Sequence, residues 1–252
     1  MPSVAQLPRI AQEFRAARRN PNLAVLEGFH AIKHALRFGA TLTSLVGTSP
    51  DELEDLSTAL APDLQGRFAA ELQIVPADIF STLAQRAPRT GVMAIALRPA
   101  VDLNRLLADP APRPIVLLED PRNLQNMGVC VRVAAAADAA GLLTTGSQDP
   151  WHADALRAGA GLHFALPVIR LSGWELADRP LVAVDPEGEP FAPEQMHPRA
   201  VLAFGTERYG ISDELLSVAN DRVAIPMRAG VSSLNLATSV AAILFGWRLV
   251  AH

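Results

Sequence analysis

The sequence predicts an α/β protein of two domains, the second built on a parallel sheet. Three observations carry this: short Val, Ile and Leu runs separated by helical segments, Pro-rich punctuation between residues 99 and 113, and a composition that is 50% hydrophobic and 19% charged. Unbroken apolar runs suit strands covered by helices on both faces, as parallel strands are. At 252 residues the chain can bury one or two cores. A first domain is expected over 1–98, a linker over 99–113 and a second domain over 114–252.

In the first domain, apolar residues at helical spacing predict helices over 8–18, 28–38, 50–60 and 77–83. Short β-branched and Leu-rich runs predict strands over 42–46, 72–75 and 92–97, giving a small α/β/α layer. The second domain alternates more regularly. Strands are expected over 115–118, 142–145, 164–167, 181–184, 201–204 and 222–225. Helices are expected over 127–140 with Gly141 as C-cap, over 153–158, over 212–218 capped by Ser212, and over 234–250. In such a sheet, ligands bind beyond the carboxyl ends of the strands.

Composition excludes several classes of function. Cys130 is the single cysteine and sits in an apolar run, so neither a disulfide framework nor a Cys-based zinc site is expected. His30 and His34 are four apart on an expected helix, but they have no carboxylate or thiol companions, and no metal site is predicted. Residues 1–20 lack the sustained apolar stretch of a secretory signal, so a cytoplasmic protein is expected. Residues 229–247 are uncharged, yet Ser232, Ser233, Asn235, Thr238 and Ser239 favour a buried helix over a membrane span. The net charge of −4 speaks against an overtly basic nucleic-acid binder, but residues 1–37 carry Arg9, Arg15, Arg18, Arg19, Lys33 and Arg37 against Glu13 and Glu27. That end is the candidate RNA arm.

Three segments carry the chemistry. Residues 225–240 place Ser233 and Asn235 just before a long apolar helix, where unpaired backbone N–H groups and short polar side chains can meet a small ligand. Upstream, Asn126-Met-Gly128-Val-Cys-Val-Arg132 follows a strand and sets one arginine in an otherwise uncharged Ala-rich helix. Between them, Phe204-Gly205-Thr-Glu207-Arg208-Tyr-Gly210-Ile-Ser212 forms a glycine turn after another strand, where backbone can approach a ligand closely.

In this order the three segments resemble the SpoU (TrmH) branch of the SPOUT superfamily, RNA ribose 2′-O-methyltransferases that use S-adenosylmethionine. The likeness covers residue 115 to the C-terminus, including the stretch from Asp149-Pro-Trp to Gly161 and Ala224-Ile-Pro226; residues 26–36 and 90–92 match loosely. It implies a deep trefoil knot that cradles the cofactor, a homodimer through the C-terminal domain, and an N-terminal L30e-like domain that binds the RNA substrate. The dimer is expected to use partly the apolar side of the last helix, where Leu236, Val240, Ile243, Leu244 and Trp247 share a face, with intramolecular core as the other use of that stripe.

The resemblance also implies roles for residues. Arg132 would clamp the RNA phosphate, Asn126 is the first-motif asparagine, Glu207 an orienting carboxylate, and Ser233 with Asn235 the third-motif pair. The main chain of Gly205, Ile225 and Leu234 would hold the cofactor. A guanidinium is too weak an acid to act as a base, so Arg132 is read as stabilising developing alkoxide charge. Two departures from the pattern stand out: Phe204-Gly-Thr-Glu207 replaces the more usual Gly-Asn-Glu, and three extra residues let Asn123 compete with Asn126. Asn126 is preferred because only it has the family's distance to Gly128 and Arg132. Ribosomal RNA is favoured over transfer RNA as substrate, and the alternative function is a catalytically silent RNA-binding or ribosome-assembly factor on the same fold.

Overall fold

The computed structural model describes residues 7–173, 176–206 and 209–250. The chain divides into two units, Met1–Pro99 with Trp151–Ala165, and Ala100–Pro150 with Leu166–His252.

The first unit runs α1 (Leu7–Ala17), β1 (Leu23–Glu27), α2 (Phe29–Arg37), β2 (Leu42–Gly47), α3 (Pro50–Leu60), α4 (Gln65–Glu71), β3 (Leu72–Ile74), α5 (Ala77–Ser81) and β4 (Val92–Leu97). Its sheet has the order β1-β4-β2-β3; β4 is antiparallel to both neighbours and β3 parallel to β2. Phe14, Val25, Val46, Phe80, Met93 and Ile95 form the core on one side. β1 was not expected from sequence, because its four apolar residues run straight into a helix without alternation. α3 begins at Pro50 because the Ser49 hydroxyl accepts from the Glu52 N–H at 3.2 Å and proline is pre-set for a first helical turn. The Glu27 carboxylate is buried and bound by Arg18 at 2.7 Å and by Arg157. Arg37 is paired with Asp63 at 2.6 Å. Of the N-terminal basic residues, Arg9, Arg15 and Arg19 remain exposed on α1 and just after it.

The second unit begins with α6 (Leu103–Ala108), inside the stretch expected to be a linker; the Asp102 carboxylate caps it by accepting from the Arg105 N–H at 3.2 Å. β5 (Ile115–Leu118), α7 (Leu124–Ala136) and β6 (Gly141–Thr144) follow. The chain then contributes α8 (Ala153–Ala158) to the first unit, where it packs on β1 and not on the second sheet as expected. It returns as β7 (Val168–Arg170), β8 (Leu181–Pro190), β9 (Val201–Phe204), α9 (Asp213–Val218), β10 (Asp221–Ala224) and α10 (Leu236–Val250).

All six strands are parallel, in the order β10-β8-β9-β5-β6-β7. β5 and β9 lie at the centre and are buried along their whole length, which explains their unbroken apolar sequence. Three expectations are corrected. α7 starts three residues early, because Asn123 caps it. Gly141 is the first residue of β6 and not a C-cap: the Ala137 N–H meets the carbonyls of Val133 and Ala135, and Asp138 takes the left-handed position at φ 58°. The strand expected over 164–167 is displaced by a 3-10 turn at Leu162–Phe164 and begins at Val168.

α10 packs on α7. Leu236, Val240, Ile243, Leu244 and Trp247 are all buried inside this chain, so of the two uses expected of the stripe the structure gives it that of intramolecular core. The large apolar residues of α10 that are exposed are Phe245, Leu249 and Val250. Among the described residues, no helix is long and apolar enough to cross a membrane.

Candidate active site

The sheet reverses its winding between β5 and β9, and the loops after these strands and after β10 meet beyond their carboxyl ends. A cavity of about 330 Å³ lies there, lined by Gly205 after β9, Ile225 and Met227 after β10, Leu234 and Ser239 near the start of α10, and Asp185 from β8. The three positions expected to hold a cofactor thus face one space, of a size common for small-molecule sites. Asp185 projects there because residues 184–188 bulge out of the β8–β10 ladder, whose register jumps from Arg222–Ala183 to Val223–Glu189. Arg222 holds the bulge, with Nε and Nη2 at 3.0 and 2.5 Å from the Asp185 carboxylate. These hydrogen bonds raise the Arg222 pKa, and Asp185 meets the cavity with its charge already matched.

A second cavity, about 690 Å³, is lined by Arg122, Asn123, Asn126, Tyr209 and Asn235. Thr206, Ser233 and Leu234 line both cavities, so the two adjoin across these residues. Asn123 and Asn126 have different tasks. The Asn123 side chain accepts from the N–H groups of Gln125 and Asn126 at 2.9 and 3.0 Å and caps α7, whereas the Asn126 carbonyl accepts from Asn235 Nδ2 at 3.2 Å. The Asn235 Oδ1 accepts from the Ala237 N–H at 2.9 Å and so caps α10. One amide therefore ties the start of α10 to the first turn of α7.

The turn between β9 and α9 forms the shared wall. Thr206 and Gly210 exchange backbone hydrogen bonds at 2.9 and 3.1 Å. A Cβ at Gly205 would stand 2.0 Å from the Gly210 carbonyl carbon, so this close approach of backbone to backbone requires glycine. The far end of the turn is fixed by Glu119, a buried acid at the end of β5 that accepts from the Ser212 N–H and hydroxyl at 2.8 and 2.5 Å. The Ser212 oxygen in turn accepts from the Leu215 N–H and caps α9. Sequence reading did not single out Glu119; its only signal is an acid directly after a buried strand.

Arg132 lies elsewhere. It is exposed on α7, six residues beyond Asn126, which on a helix is about 9 Å along the axis and about 240° around it. It lines neither of these two cavities. Glu207 lies outside the described residues. Among the described residues, no three His, Cys, Asp or Glu side chains stand close enough to hold a metal ion, and His34 Nδ1 is engaged with the Ala160 carbonyl at 2.8 Å.

Comparison with known proteins places this geometry. The model of the SpoU rRNA Methylase family matches residues 113–245. A protein of Mycobacterium bovis named as an uncharacterized tRNA/rRNA methyltransferase is 30% identical over 234 residues, covering 87% of this chain and 78% of its own length. A Streptomyces azureus protein named as a 23S rRNA (adenosine(1067)-2′-O)-methyltransferase is 28% identical over 258 residues, with 95% and 91% covered. Among solved structures, an AdoMet-bound rRNA methyltransferase from Sinorhizobium meliloti superposes with a TM-score of 0.79 at 24% identity, covering 100% of this chain and 98% of its own, a likeness of fold.

Proposed function

Because the chain belongs to the SpoU rRNA methylase family, we propose that it is an S-adenosylmethionine-dependent RNA methyltransferase acting on a ribose 2′-hydroxyl, with ribosomal RNA favoured over transfer RNA. The observation that carries the reading is the pair of adjoining cavities, one of mixed apolar and hydroxyl lining with Asp185 at its edge for the methyl donor, one rimmed by amides and a guanidinium for the acceptor. The cofactor supplies an electrophilic methyl carbon on a positively charged sulfur. The chain's part is positioning. Main-chain groups of Gly205, Ile225 and Leu234 hold the donor, and the Gly205–Gly210 contact keeps that wall thin. Ser233 and the Asn126–Asn235 pair order the boundary between donor and ribose, Glu207 orients, and Arg132 anchors a phosphate and stabilises alkoxide charge.

Arg132 serves such a role from a partner copy. Val129, three residues away on α7, and Phe245 and Leu249 on α10 are exposed apolar side chains. A second copy seated on them forms the homodimer and brings Arg132 toward the partner's acceptor cavity. The trefoil knot, the cytoplasmic location and the role of residues 1–98 as an L30e-like RNA-binding domain, with Arg9, Arg15 and Arg19 facing solvent, belong to the same proposal.

The test is transfer of tritiated methyl from S-adenosylmethionine to ribosomal RNA from a strain lacking the gene. Label is expected in alkali-resistant dinucleotides, since a 2′-O-methyl blocks cleavage at that phosphate, and sedimentation of the same preparation is expected to give a dimer. Label confined to alkali-sensitive mononucleotides would redirect the reading to base methylation, and RNA binding without any transfer would favour a silent RNA-binding factor.

A further inference from the structure

The turn shared by the two cavities carries the chain's single tyrosine, and Tyr209 is 80% exposed. Single exposed aromatics are ordinary on protein surfaces, so the weight falls on where this one stands. Thr206 and Gly210 are joined by backbone hydrogen bonds, and the Tyr209 N–H donates to the Thr206 hydroxyl at 3.0 Å. The ring is thus carried on backbone tied to Thr206. It lines the larger cavity together with Arg122, Asn126, Ser233 and Asn235. Arg122 is steadied by Asp120, whose carboxylate accepts from its Nε at 2.9 Å and lies 2.7 Å from its Nη2, while its side chain is 74% exposed.

A ribose enters a concave site only when its nucleotide leaves the helical stack, and the base so freed needs a π-face or guanidinium plane to replace its lost neighbours. We infer that Tyr209 is the platform on which the base of the acceptor nucleotide stacks, with Arg122 beside it for the adjoining phosphate. The inference rests on the methyltransferase reading for which nucleotide this is. Stacking is tolerant of base identity, so Tyr209 selects an unpaired nucleotide over a duplex one and leaves sequence choice to other contacts.

Tyr209→Ala and Tyr209→Phe separate the ring from the hydroxyl, and circular dichroism checks that both variants fold. Binding is read by fluorescence anisotropy with a fluorescein-labelled, mixed-sequence single-stranded oligoribonucleotide and with the same strand as a duplex. Tyr209→Ala is expected to weaken single-strand binding about 10- to 100-fold, the range set by loss of one base–aromatic stack, with duplex binding unchanged and Tyr209→Phe close to wild type. In methyl transfer to ribosomal RNA, KM for RNA rises by a similar factor while KM for S-adenosylmethionine stays put. Unchanged single-strand affinity and unchanged RNA KM in Tyr209→Ala would overturn the stacking role and leave the methyltransferase reading standing. Tyr209-dependent RNA binding by a wild-type chain that transfers no methyl would do the reverse.

Discussion

Arg132→Ala is expected to lower turnover about 100- to 10,000-fold, the range seen when one positioned catalytic group or charge stabiliser is removed. S-adenosylmethionine affinity should not change. The two halves of this expectation come from one placement: Arg132 is exposed on α7 and does not line the cavity of Gly205, Ile225 and Leu234. Removal of an exposed side chain leaves the core untouched, so thermal stability should hold. Arg132→Lys keeps a charge but loses the planar fork that meets a phosphate with two hydrogen bonds, and an intermediate rate is expected. Steady-state kinetics, calorimetric donor affinity and thermal melting check all four points. Full activity in Arg132→Ala would remove the residue from the mechanism.

The largest expected effect on stability falls far from the site. Arg179 is 3% exposed, and its guanidinium donates to five backbone carbonyls: Leu107 at 2.9 Å, Arg113 at 3.1 Å, Arg199 at 3.2 Å, Leu106 at 3.3 Å and Asp109 at 2.9 Å. Burial lowers its pKa, but a guanidinium starts so high that the charge remains. The carbonyls belong to the end of α6, the Pro-rich stretch before β5 and the residue pair before β9, none of which has a ladder to satisfy them. Arg199 also donates to the Leu107 and Asp109 carbonyls and the Asp109 N–H to that of Leu106, so Arg179→Ala strips the carbonyls of Arg113 and Arg199 of this donor and is expected to cost about 2–4 kcal/mol, at about 1–3 kcal/mol for each part-buried acceptor left unpaired. Against a typical total of about 5–15 kcal/mol this is a large fraction. Arg179→Lys should recover little, because one ammonium cannot span five acceptors. Denaturant unfolding reads the difference; a loss under about 0.5 kcal/mol would show that the cluster is satisfied some other way.

The central strands were legible because burial on both faces writes itself as an unbroken apolar run: β5 and β9 have the bounds expected from sequence. α3 was legible from its periodicity between loop residues. β1 and α6 were not, since β1 runs straight into a helix without alternation and α6 lies inside the Pro-rich stretch that reads as a linker. α8 was placed at the right residues, but periodicity tells that a helix has an apolar side and not which sheet receives it. The same limit applies to α10, whose apolar residues ring most of its circumference, so core and exposed faces could not be separated before the position of α7 was known.

In the site, the convergence of Gly205, Ile225 and Leu234 on one cavity, and of Asn126, Ser233 and Asn235 on its neighbour, follows segments that resemblance to a family had put in order. The Glu119–Ser212 contact and the double use of the Asn235 amide were beyond sequence reasoning. Each depends on which loops meet across 93 and 109 residues of chain, and local propensity carries no record of that.

The claim beneath these readings is that the space beside Gly205 receives the methyl donor. Isothermal titration calorimetry with S-adenosylmethionine, on the wild-type chain and on Gly205→Ala, tests it directly. The methyl added at Gly205 would meet the Gly210 carbonyl carbon at 2.0 Å and push the turn into the cavity. One donor bound per wild-type chain, and affinity at least about 100-fold weaker in a Gly205→Ala protein that still folds, is the predicted result, in line with the cost of displacing a site by about 1 Å. No binding to the wild type, or equal binding to a folded variant, would contradict the account.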